Sequence, residues 1–364
     1  MDNFNQKMAD ILNHGALNLA MAIGYKNRIF DTLEDMGTPA TAAEIAAASG
    51  FDERYLKEWL AIMVTGEIIT PGKNEKEENT YYLPPEHAGF LTRKSGNNNL
   101  GVYTQEIPLL TSCAMESVIG GFQTGEGIAF SQYPDFQQFM SQLADAKHEQ
   151  VLLSEFLPSV ENGKLVEKLK SGIRVCDMGC GHGVALNLMA EAFPKSQFTG
   201  IDNHEPALAT ARKNAEKKGL SNLVYKNRDA AKITGDPEFE KSFDYICAFD
   251  AIHDQSHPLE ALKGIRHMMA PGGLFSMVDI KARTSPADNM DHPMGPFLYT
   301  VSLMHCMPVG LNDNGTGLGM MWGREQAEDM LARAGFEDVR VMEMAHDGFN
   351  LHYLCKVPEN ASLD

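Results

Sequence analysis

One short segment constrains the fold of this 364-residue chain more than any other. Residues 175–207 have the sequence VCDMGCGHGVALNLMAEAFPKSQFTGIDNHEPA. A short apolar run leads into a glycine-rich turn, apolar residues then recur at helical spacing, and a second apolar run ends on Asp202. Strand, glycine turn, helix, strand and acid form the first half of a dinucleotide-type βαβ unit. This order predicts an open α/β sheet.

The spacing of the glycines indicates which ligand the turn accepts. From Asp177 the pattern is D-x-G-x-G-x-G, and Val184 stands where a dehydrogenase has its third glycine. A carboxylate at Asp177 repels a pyrophosphate but attracts an ammonium group. S-adenosylmethionine carries an ammonium, has no phosphate, and offers a ribose diol to Asp202. The turn therefore predicts a methyl-donor site and disfavours an NAD-dependent oxidoreductase.

Five later segments continue the alternation of strands and helices. LVYKNRDAAKI predicts a third strand that ends at Asp229-Ala230, where an acid suits an adenine amino group. FDYICAFDAIHD predicts a fourth strand, and LKGIRHMMAPGGLFSMVDI a helix, a break at Pro271-Gly272-Gly273 and a fifth strand. REQAEDMLARAGFEDVRVMEM and FNLHYLCK supply a last helix and a closing strand pair.

With these segments in this order, residues 165–357 resemble the class I S-adenosylmethionine-dependent methyltransferases. The matching motifs are DMGCGHG, GIDNHEPAL, RDAA, AFDAIHD and MMAPGGLF. The resemblance implies a Rossmann-like, seven-stranded, mostly parallel sheet with the donor over the carboxyl ends of the first four strands, a position that open α/β sheets also favour in general. The predicted donor residues at these positions are Asp177, Gly179, Gly181, Gly183, Asp202, Asn203, Asp229, Ala230, Phe249 and Asp250.

The first 100 residues have the pattern of a mostly α-helical winged-helix domain. One helix is predicted over residues 15–36, ending near Gly37, followed by two short helices with a turn at Ser49-Gly50 and then by two strands. The helix that would enter a DNA groove, Asp52 to Val64, balances acids against bases, and the chain has a formal net charge of −18. Both features disfavour nucleic acid as a partner. In related small-molecule methyltransferases such a domain pairs two subunits and caps the active site, which implies a homodimer.

Two further segments concern access to the site. Residues 101–164 are predicted to form a helical linker and a possible active-site flap, because glycines precede several aromatic residues there. In related methyltransferases this hinge reaches the donor, so Phe130 or Tyr133 is predicted to touch donor or acceptor, and Tyr133 is assigned to the donor site. The alternative is a simple linker with a helix behind it. Residues 281–323 interrupt the Rossmann pattern within a region that holds 12 of the 21 methionines. This insertion is predicted to shape the acceptor site, although most of its methionines also suit a core.

Two histidines are the candidate catalytic bases. His253 lies just after the predicted fourth strand, and its surroundings, AFDAIHDQSHP, resemble the HDW region of small-molecule O-methyltransferases, where the matching histidine takes the acceptor's proton. Gln255 replaces the tryptophan of that pattern, and a histidine that only packs or caps a helix is the alternative. His305 is the second candidate. No metal is predicted, because the spacing C-x₃-C-x-H of Cys176, Cys180 and His182 has no second pair nearby.

Composition completes the prediction. No run of 18 apolar residues or cationic leader is evident, and the six cysteines lack framework spacing, so we expect a cytoplasmic protein without a membrane partner. The predicted function is methyl transfer from S-adenosylmethionine to a small-molecule acceptor, with a hydroxyl or thiol favoured. The alternative is a winged-helix regulator that senses S-adenosylmethionine without turnover.

Overall fold

The structure, a computed structural model, describes residues 3–358. Its contacts divide the chain into two units, residues 1–112 and 113–364. The division predicted from the sequence, 1–100, 101–164 and 165–364, stays a prediction, and its outer ends at residues 1 and 364 lie outside the described part. None of the helices described between residues 3 and 358 is long and apolar enough to cross a bilayer.

The first unit combines helices with a small antiparallel sheet, as a winged helix requires. Its three strands lie in the order β1-β3-β2, with both pairs antiparallel. They are β1 (Ala40–Thr41), β2 (Thr70–Lys73) and β3 (Asn79–Tyr82). The helices are α1 (Phe4–Lys26), α2 (Ile29–Met36), α3 (Ala42–Ser49), α4 (Glu53–Thr65) and α5 (Pro85–Leu91).

The prediction of one helix over residues 15–36 is wrong in two respects. The helix begins at Phe4, eleven residues earlier, and it is broken after Lys26, where Arg28 adopts a left-handed conformation with φ 57°. No glycine or proline marks this break, so the apolar periodicity conceals it. The predicted end is confirmed, because Gly37 caps α2 with φ 62°, a conformation that favours glycine.

A close helix crossing organises the core of the first unit. Trp59 of α4 is buried and donates a hydrogen bond from Nε1 to the carbonyl of Ala20 in α1, at 2.8 Å. A β-carbon at Gly24 would lie 2.3 Å from the Trp59 ring. The indole can therefore pack on α1 only because residue 24 has no side chain.

The second unit is a seven-stranded sheet with helices, and the predicted fold class is confirmed. The strands are β4 (Arg174–Met178), β5 (Gln197–Asp202), β6 (Leu223–Asn227), β7 (Phe243–Phe249), β8 (Met269–Ile280), β9 (Asp338–Met344) and β10 (Asp347–Lys356). The helix α6 (Glu106–Thr124) crosses from the first unit into the second. The others are α7 (Pro134–Val151), α8 (Leu157–Ser159), α9 (Lys164–Ser171), α10 (Val184–Ala192), α11 (Glu205–Lys217), α12 (Pro258–Met268), α13 (Gly295–Val301), α14 (Met307–Gly310) and α15 (Gly323–Arg333).

The strand order of this sheet locates a ligand crevice. The order is β6-β5-β4-β7-β8-β10-β9, and only β10 runs antiparallel to its neighbours. The chain leaves β4 toward β5 on one side and returns to pair β7 on the other. Ligands of open α/β sheets bind at the carboxyl ends of the strands where the order reverses in this way, which here means between β4 and β7.

The fifth strand of the sheet, β8, begins earlier than predicted. It starts at Met269, directly after α12, and Pro271-Gly272-Gly273 lie inside it rather than before it. The pairing with β7 shifts register between Tyr245 and Phe243, so a bulge accommodates the turn residues within the strand.

The glycine turn after β4 packs tightly against β6. Tyr225 of β6 is buried, donates a hydrogen bond to the carbonyl of Gly183 at 3.1 Å, and lies 3.0 Å from Oδ1 of Asn187. A β-carbon at Gly183, where φ is 74°, would lie 2.2 Å from the Tyr225 hydroxyl. Both the backbone conformation and the tyrosine therefore require glycine at this position.

We expect Gly183→Ala to destabilise the protein more than Gly219→Ala does. Gly219 also has a positive φ, 66°, but a β-carbon there meets nothing within 4 Å. Both changes carry the strain of a left-handed residue, about 1–2 kcal/mol, whereas only Gly183→Ala adds overpacking of about 1–3 kcal/mol. Urea denaturation followed by circular dichroism measures both losses, and equal losses would contradict the role of Tyr225.

Candidate functional site

The glycine turn forms an open cradle between β4 and α10. Gly179, Gly181 and Gly183 all have positive φ values, of 75°, 50° and 74°. The backbone N–H of Gly179 donates to the carbonyl of Ile201 at 2.8 Å, which ties the turn to β5. A β-carbon at Gly181 would meet no protein atom within 4 Å, so this glycine borders open space. The turn thus leaves room for a ligand at its centre.

Asp202 holds the turn from the end of β5. Its Oδ2 accepts a hydrogen bond from the backbone N–H of Gly181 at 2.9 Å, and its Oδ1 accepts one from that of His204 at 2.8 Å. Each carboxylate oxygen has two lone pairs, so both retain capacity for a further donor such as a ribose hydroxyl. Asp202 both shapes the turn and offers acceptors to a ligand.

Asp177 places a buried acid beneath the turn. Its side chain is almost fully buried near the end of β4, and its Oδ1 lies 3.6 Å from the thiol of Cys247 on β7, a weak donor. Burial, with a smaller contribution from the nearby charge of Asp202, raises the pKa of Asp177 to about 7. A cationic ligand would stabilise the charged form of this carboxyl group.

A cleft of about 370 Å³ is lined by residues that follow β5, β6 and β7. Asn203 and Asp229 line it, together with Ala231, Lys232, Gln255, Ser256, His257 and Asp313. Asp229 accepts a hydrogen bond from the backbone N–H of Ala231 at 3.0 Å and pairs with Lys232 at 2.8 Å. Ala230 is buried, and its carbonyl packs against Gly264 of α12. The side of the cleft near residue 230 is therefore formed by Ala231.

His253 is held in one orientation by a buried carboxylate. Its Nδ1 lies 2.7 Å from Oδ1 of Asp279 at the end of β8, and the same oxygen accepts hydrogen bonds from Nε1 of Trp322 at 3.1 Å and the backbone N–H of Ile280 at 2.9 Å. Because a carboxylate can only accept, Nδ1 carries the proton, and Nε2 is the nitrogen that can take another. This arrangement is that of a general base with a fixed tautomer.

The pKa values of the two candidate bases are shifted in opposite directions. Burial alone would lower the pKa of His253, but the charges of Asp279 and Asp254 outweigh it and raise that pKa well above its usual value. Burial lowers the pKa of His305, and its Nε2 is buried without a hydrogen-bond partner. The imidazole of His305 therefore stays neutral at a pH where His253 is charged.

The linker and the insertion pack together at the site. Two hydrogen bonds join Ile128 to the insertion. Its backbone N–H donates to the carbonyl of Pro308 at 3.0 Å, and the side-chain Nδ2 of Asn312 donates to the Ile128 carbonyl at 2.7 Å. A β-carbon at Gly127 would lie 2.6 Å from the Pro308 carbonyl oxygen. The backbones of the two segments approach this closely because residue 127 is glycine.

Aromatic rings from the linker surround His305. Tyr133 is fully buried, donates a hydrogen bond to the carbonyl of Met304 at 2.8 Å, and lies 4.8 Å from the His305 ring. Phe130 is exposed, and its ring centroid lies 5.3 Å from that of His204 and 6.1 Å from that of His305. Phe130 thus bridges the residues after β5 and the insertion, whereas Tyr133 packs on the insertion. His305 lies in a π-helical turn, Ser302–Cys306, a distortion that is common at functional sites.

Two predicted donor residues lie at the end of β7. Asp250 adopts a left-handed conformation with φ 48° and accepts a hydrogen bond from Nδ2 of Asn350 at 3.1 Å. The ring of Phe249 lies 4.9 Å from His148 and 5.3 Å from Phe156. The Phe249 side chain therefore packs against the rings of His148 and Phe156.

Sequence reasoning misses three residues of the site: Asp279, Trp322 and Cys306. The lone acid in the apolar run SMVDI is a detectable indication of Asp279, because an acid in a buried strand needs a partner. Cys176, Cys180 and His182 do not converge into a metal-ligand group. Within residues 3–358, the group of at least three such side chains with close ligand atoms is His253, Asp254 and Cys306.

Comparison with known proteins finds a family match within each unit. Residues 169–306 match the family model of a methyltransferase domain, and residues 15–93 match that of an Rv2258c-like winged helix-turn-helix domain. The predictions of a class I S-adenosylmethionine-dependent methyltransferase domain and of a winged helix ahead of it are confirmed.

Individual relatives share only part of the chain. A tRNA (guanine-N(7)-)-methyltransferase of Hydrogenovibrio crunogenus is 32% identical over 28% of this chain and 46% of its own length. A ubiquinone biosynthesis O-methyltransferase of Ruegeria pomeroyi is 30% identical over 48% of this chain and 63% of its own. The chain thus spans about half the length of such curated relatives. The structure of human N-acetylserotonin methyltransferase in complex with SAM covers 98% of this chain and 99% of its own, with a TM-score of 0.64 at 15% identity. This likeness shows the same fold.

Proposed function

We propose that this chain, whose residues 169–306 match the family model of a methyltransferase domain, transfers a methyl group from S-adenosylmethionine to a small-molecule acceptor. A hydroxyl or thiol is the favoured acceptor group. His253 acts as the general base, and Asp279 orients it.

The observation that carries this proposal is the contact between the glycine turn and the loop that bears His253. A β-carbon at Gly179 would lie 2.6 Å from the β-carbon of Ala251, two residues before His253. A donor seated on the turn would therefore lie beside the histidine. A nucleophile that approaches the donor would therefore lie close to His253, which can accept its proton.

The residues of the turn fit S-adenosylmethionine. Gly181 borders open space, Asp177 supplies a buried acid for an ammonium group, and Asp202 has lone pairs left for a ribose diol. When bound, S-adenosylmethionine supplies a methyl group on a sulfonium, and the rest of the donor leaves as a neutral thioether. The charge of Asp177 and the shape of the turn would hold such a ligand without any phosphate contact.

The remaining chemistry falls to the protein's own side chains. Nε2 of His253 accepts the acceptor's proton, and the Asp279 carboxylate stabilises the resulting imidazolium. Phe130 and the buried aromatic rings near His305 exclude water from this edge of the sheet. Alignment of the nucleophile and removal of water supply most of what a displacement of this kind requires.

A small molecule suits the site better than a nucleic acid does, although tRNA enzymes occur among the relatives. The chain has a formal net charge of −18, and on α4 Arg54 and Lys57 pair with Glu58 and Glu53 at 2.5 Å each. These pairs leave no excess of positive charge on the helix that would enter a groove. The methionine-rich insertion, residues 281–323, would contact a partly apolar acceptor.

The comparisons offer no support for the alternative of a regulator that senses S-adenosylmethionine without turnover. A cytoplasmic location is part of the proposal, since six cysteines without framework spacing suit a reducing compartment.

Changes in the glycine turn should affect donor binding. Asp202→Ala should weaken S-adenosylmethionine binding at least about tenfold, or roughly 1.4 kcal/mol, because it removes the diol acceptors. Gly181→Val should abolish binding, since its side chain would fill the open space at the turn. Asp329→Ala, an exposed acid on α15, is the control and should leave the affinity unchanged. Calorimetry that gave wild-type affinity for both turn variants would exclude this donor site.

Turnover tests the proposed base. With labelled donor and a panel of phenols, alcohols and thiols, the wild-type protein should form S-adenosylhomocysteine, and His253→Ala should lower kcat about a hundredfold or more with donor affinity nearly unchanged. Because only the neutral imidazole accepts a proton and the pKa of His253 is raised, kcat should increase with pH through a pKa above about 6.5.

His305→Phe is the matched variant, since it keeps an aromatic ring next to Phe130 and Tyr133. It should retain most of the turnover. If His305 were the base, its lowered pKa would place the acidic limb of the pH profile below about 6.5. A profile of that kind, or full activity of His253→Ala at neutral pH, would overturn the assignment.

The homodimer is proposed to form through α1. Its apolar side chains at positions 4, 8, 11, 12, 19 and 23 are 40–68% exposed and recur at helical spacing. Light scattering should give about twice the chain mass of 40.1 kDa, and Leu12→Glu with Leu19→Glu should shift it to the monomer. Met290→Glu, which alters an exposed methionine outside α1, is the control. A monomeric wild-type protein would contradict the proposed homodimer. A gel shift with duplex DNA at physiological salt would contradict the proposal that nucleic acid is not a partner.

A further inference from the structure

Three side chains of different chemistry converge next to the proposed base. Nε2 of His253 lies 3.5 Å from Oδ1 of Asp254, and together with Sγ of Cys306 these ligand atoms all lie within 4.8 Å of one another. His253 and Cys306 are buried and Asp254 is partly buried. We infer that His253, Asp254 and Cys306 form a binding site for one zinc-class divalent cation, a site that goes beyond the proposed methyl transfer.

The surroundings of the cluster match those of a metal site in two further respects. Oδ1 of Asp254 is buried without a hydrogen-bond partner, and a cation placed between it and Nε2 of His253, 3.5 Å away, would contact both atoms. The other ring nitrogen of His253 is fixed by Asp279, the outer-shell arrangement that orients metal-bound histidines. Nε2 of His253, once deprotonated, and Oδ1 of Asp254 therefore face the same space.

The ligand set selects the metal. Sulfur and imidazole ligands favour zinc-class transition metals over Mg²⁺ and Ca²⁺, which prefer oxygen. Bond lengths of about 2.0–2.3 Å in a tetrahedral zinc site place neighbouring ligand atoms roughly 3.3–3.8 Å apart, so small side-chain movements suffice to close the cluster. A bound cation would deprotonate the thiol.

The charges of such a centre balance. One thiolate and one carboxylate neutralise a divalent cation, which reduces the cost of holding the ion in a buried place. Three protein ligands leave a tetrahedral ion with one position for a molecule other than the protein. Because the metal and the acceptor's proton would use the same lone pair of His253, bound metal would inhibit the base, and the kinetics expected of His253 apply to metal-free protein.

Cobalt(II) is the probe, because a thiolate ligand gives it a charge-transfer absorption in the near ultraviolet. Full-length protein, freed of metal with EDTA, should develop this band with one equivalent of Co²⁺, and Zn²⁺ should displace it. Cys306→Ser should abolish the band, whereas Cys113→Ser, which removes a thiol outside the cluster, should retain it. Asp254→Asn and His253→Gln keep the thiol and should weaken cobalt binding at least about tenfold.

The titration requires neither donor nor acceptor, so its failure is distinct from a failure of the methyl-transfer proposal. Circular dichroism verifies that each variant is folded, and the Asp254 and His253 variants serve if Cys306→Ser does not fold. Absence of the band in the wild-type protein at excess Co²⁺ would overturn the site. The site would also be excluded if folded Cys306→Ser kept the band, or if Asp254→Asn and His253→Gln bound cobalt as tightly as the wild type.

Discussion

The geometry of the site depends on one oxygen atom of a buried carboxylate. Oδ1 of Asp279 accepts hydrogen bonds from His253, Trp322 and the backbone of Ile280, which belong to the loop after β7, the start of α15 and the end of β8. Three donors on one oxygen offset much of the cost of burying a charge. Removal of this carboxylate would leave the donors of His253 and Trp322 buried without a partner. Asp279 thus joins parts of the chain that are far apart in sequence and fixes the imidazole among them.

Much of the donor side of the site could be predicted from local sequence, because its physics is local. Positive φ values at Gly179, Gly181 and Gly183 require glycine, and the order of strand, turn, helix and acid then places Asp202 beside them. The carboxyl ends of parallel strands meet at one edge, which explains why Asn203 and Asp229 share a cleft although they lie on different connections. The winged-helix pattern follows from the same kind of reasoning.

What could not be predicted depends on contacts between distant segments. Nothing in the sequence marks the left-handed Arg28 that divides α1 from α2, and Pro271-Gly272-Gly273, a typical break, is absorbed in β8 as a bulge because β7 continues to pair with it. The partners of His253 arise from β8 and from residue 322, so sequence proximity gives no indication of them. The assignment of Tyr133 to the donor site rests on family resemblance alone. In the structure the Tyr133 hydroxyl donates a hydrogen bond to the carbonyl of Met304 in the insertion.

The close approach at Gly127 has a consequence for engineering the acceptor pocket. Because the backbone of Ile128 donates a hydrogen bond to Pro308 and accepts one from the Asn312 side chain, residues 125–133 and the insertion behave as one structural module despite their separation of about 180 positions. In a chimera with residues 281–323 from a related protein, the imported insertion would have to pack against the original residues 125–133. The backbones of the two segments would no longer be complementary. Exchange of substrate preference between relatives would therefore need both segments to be transplanted together.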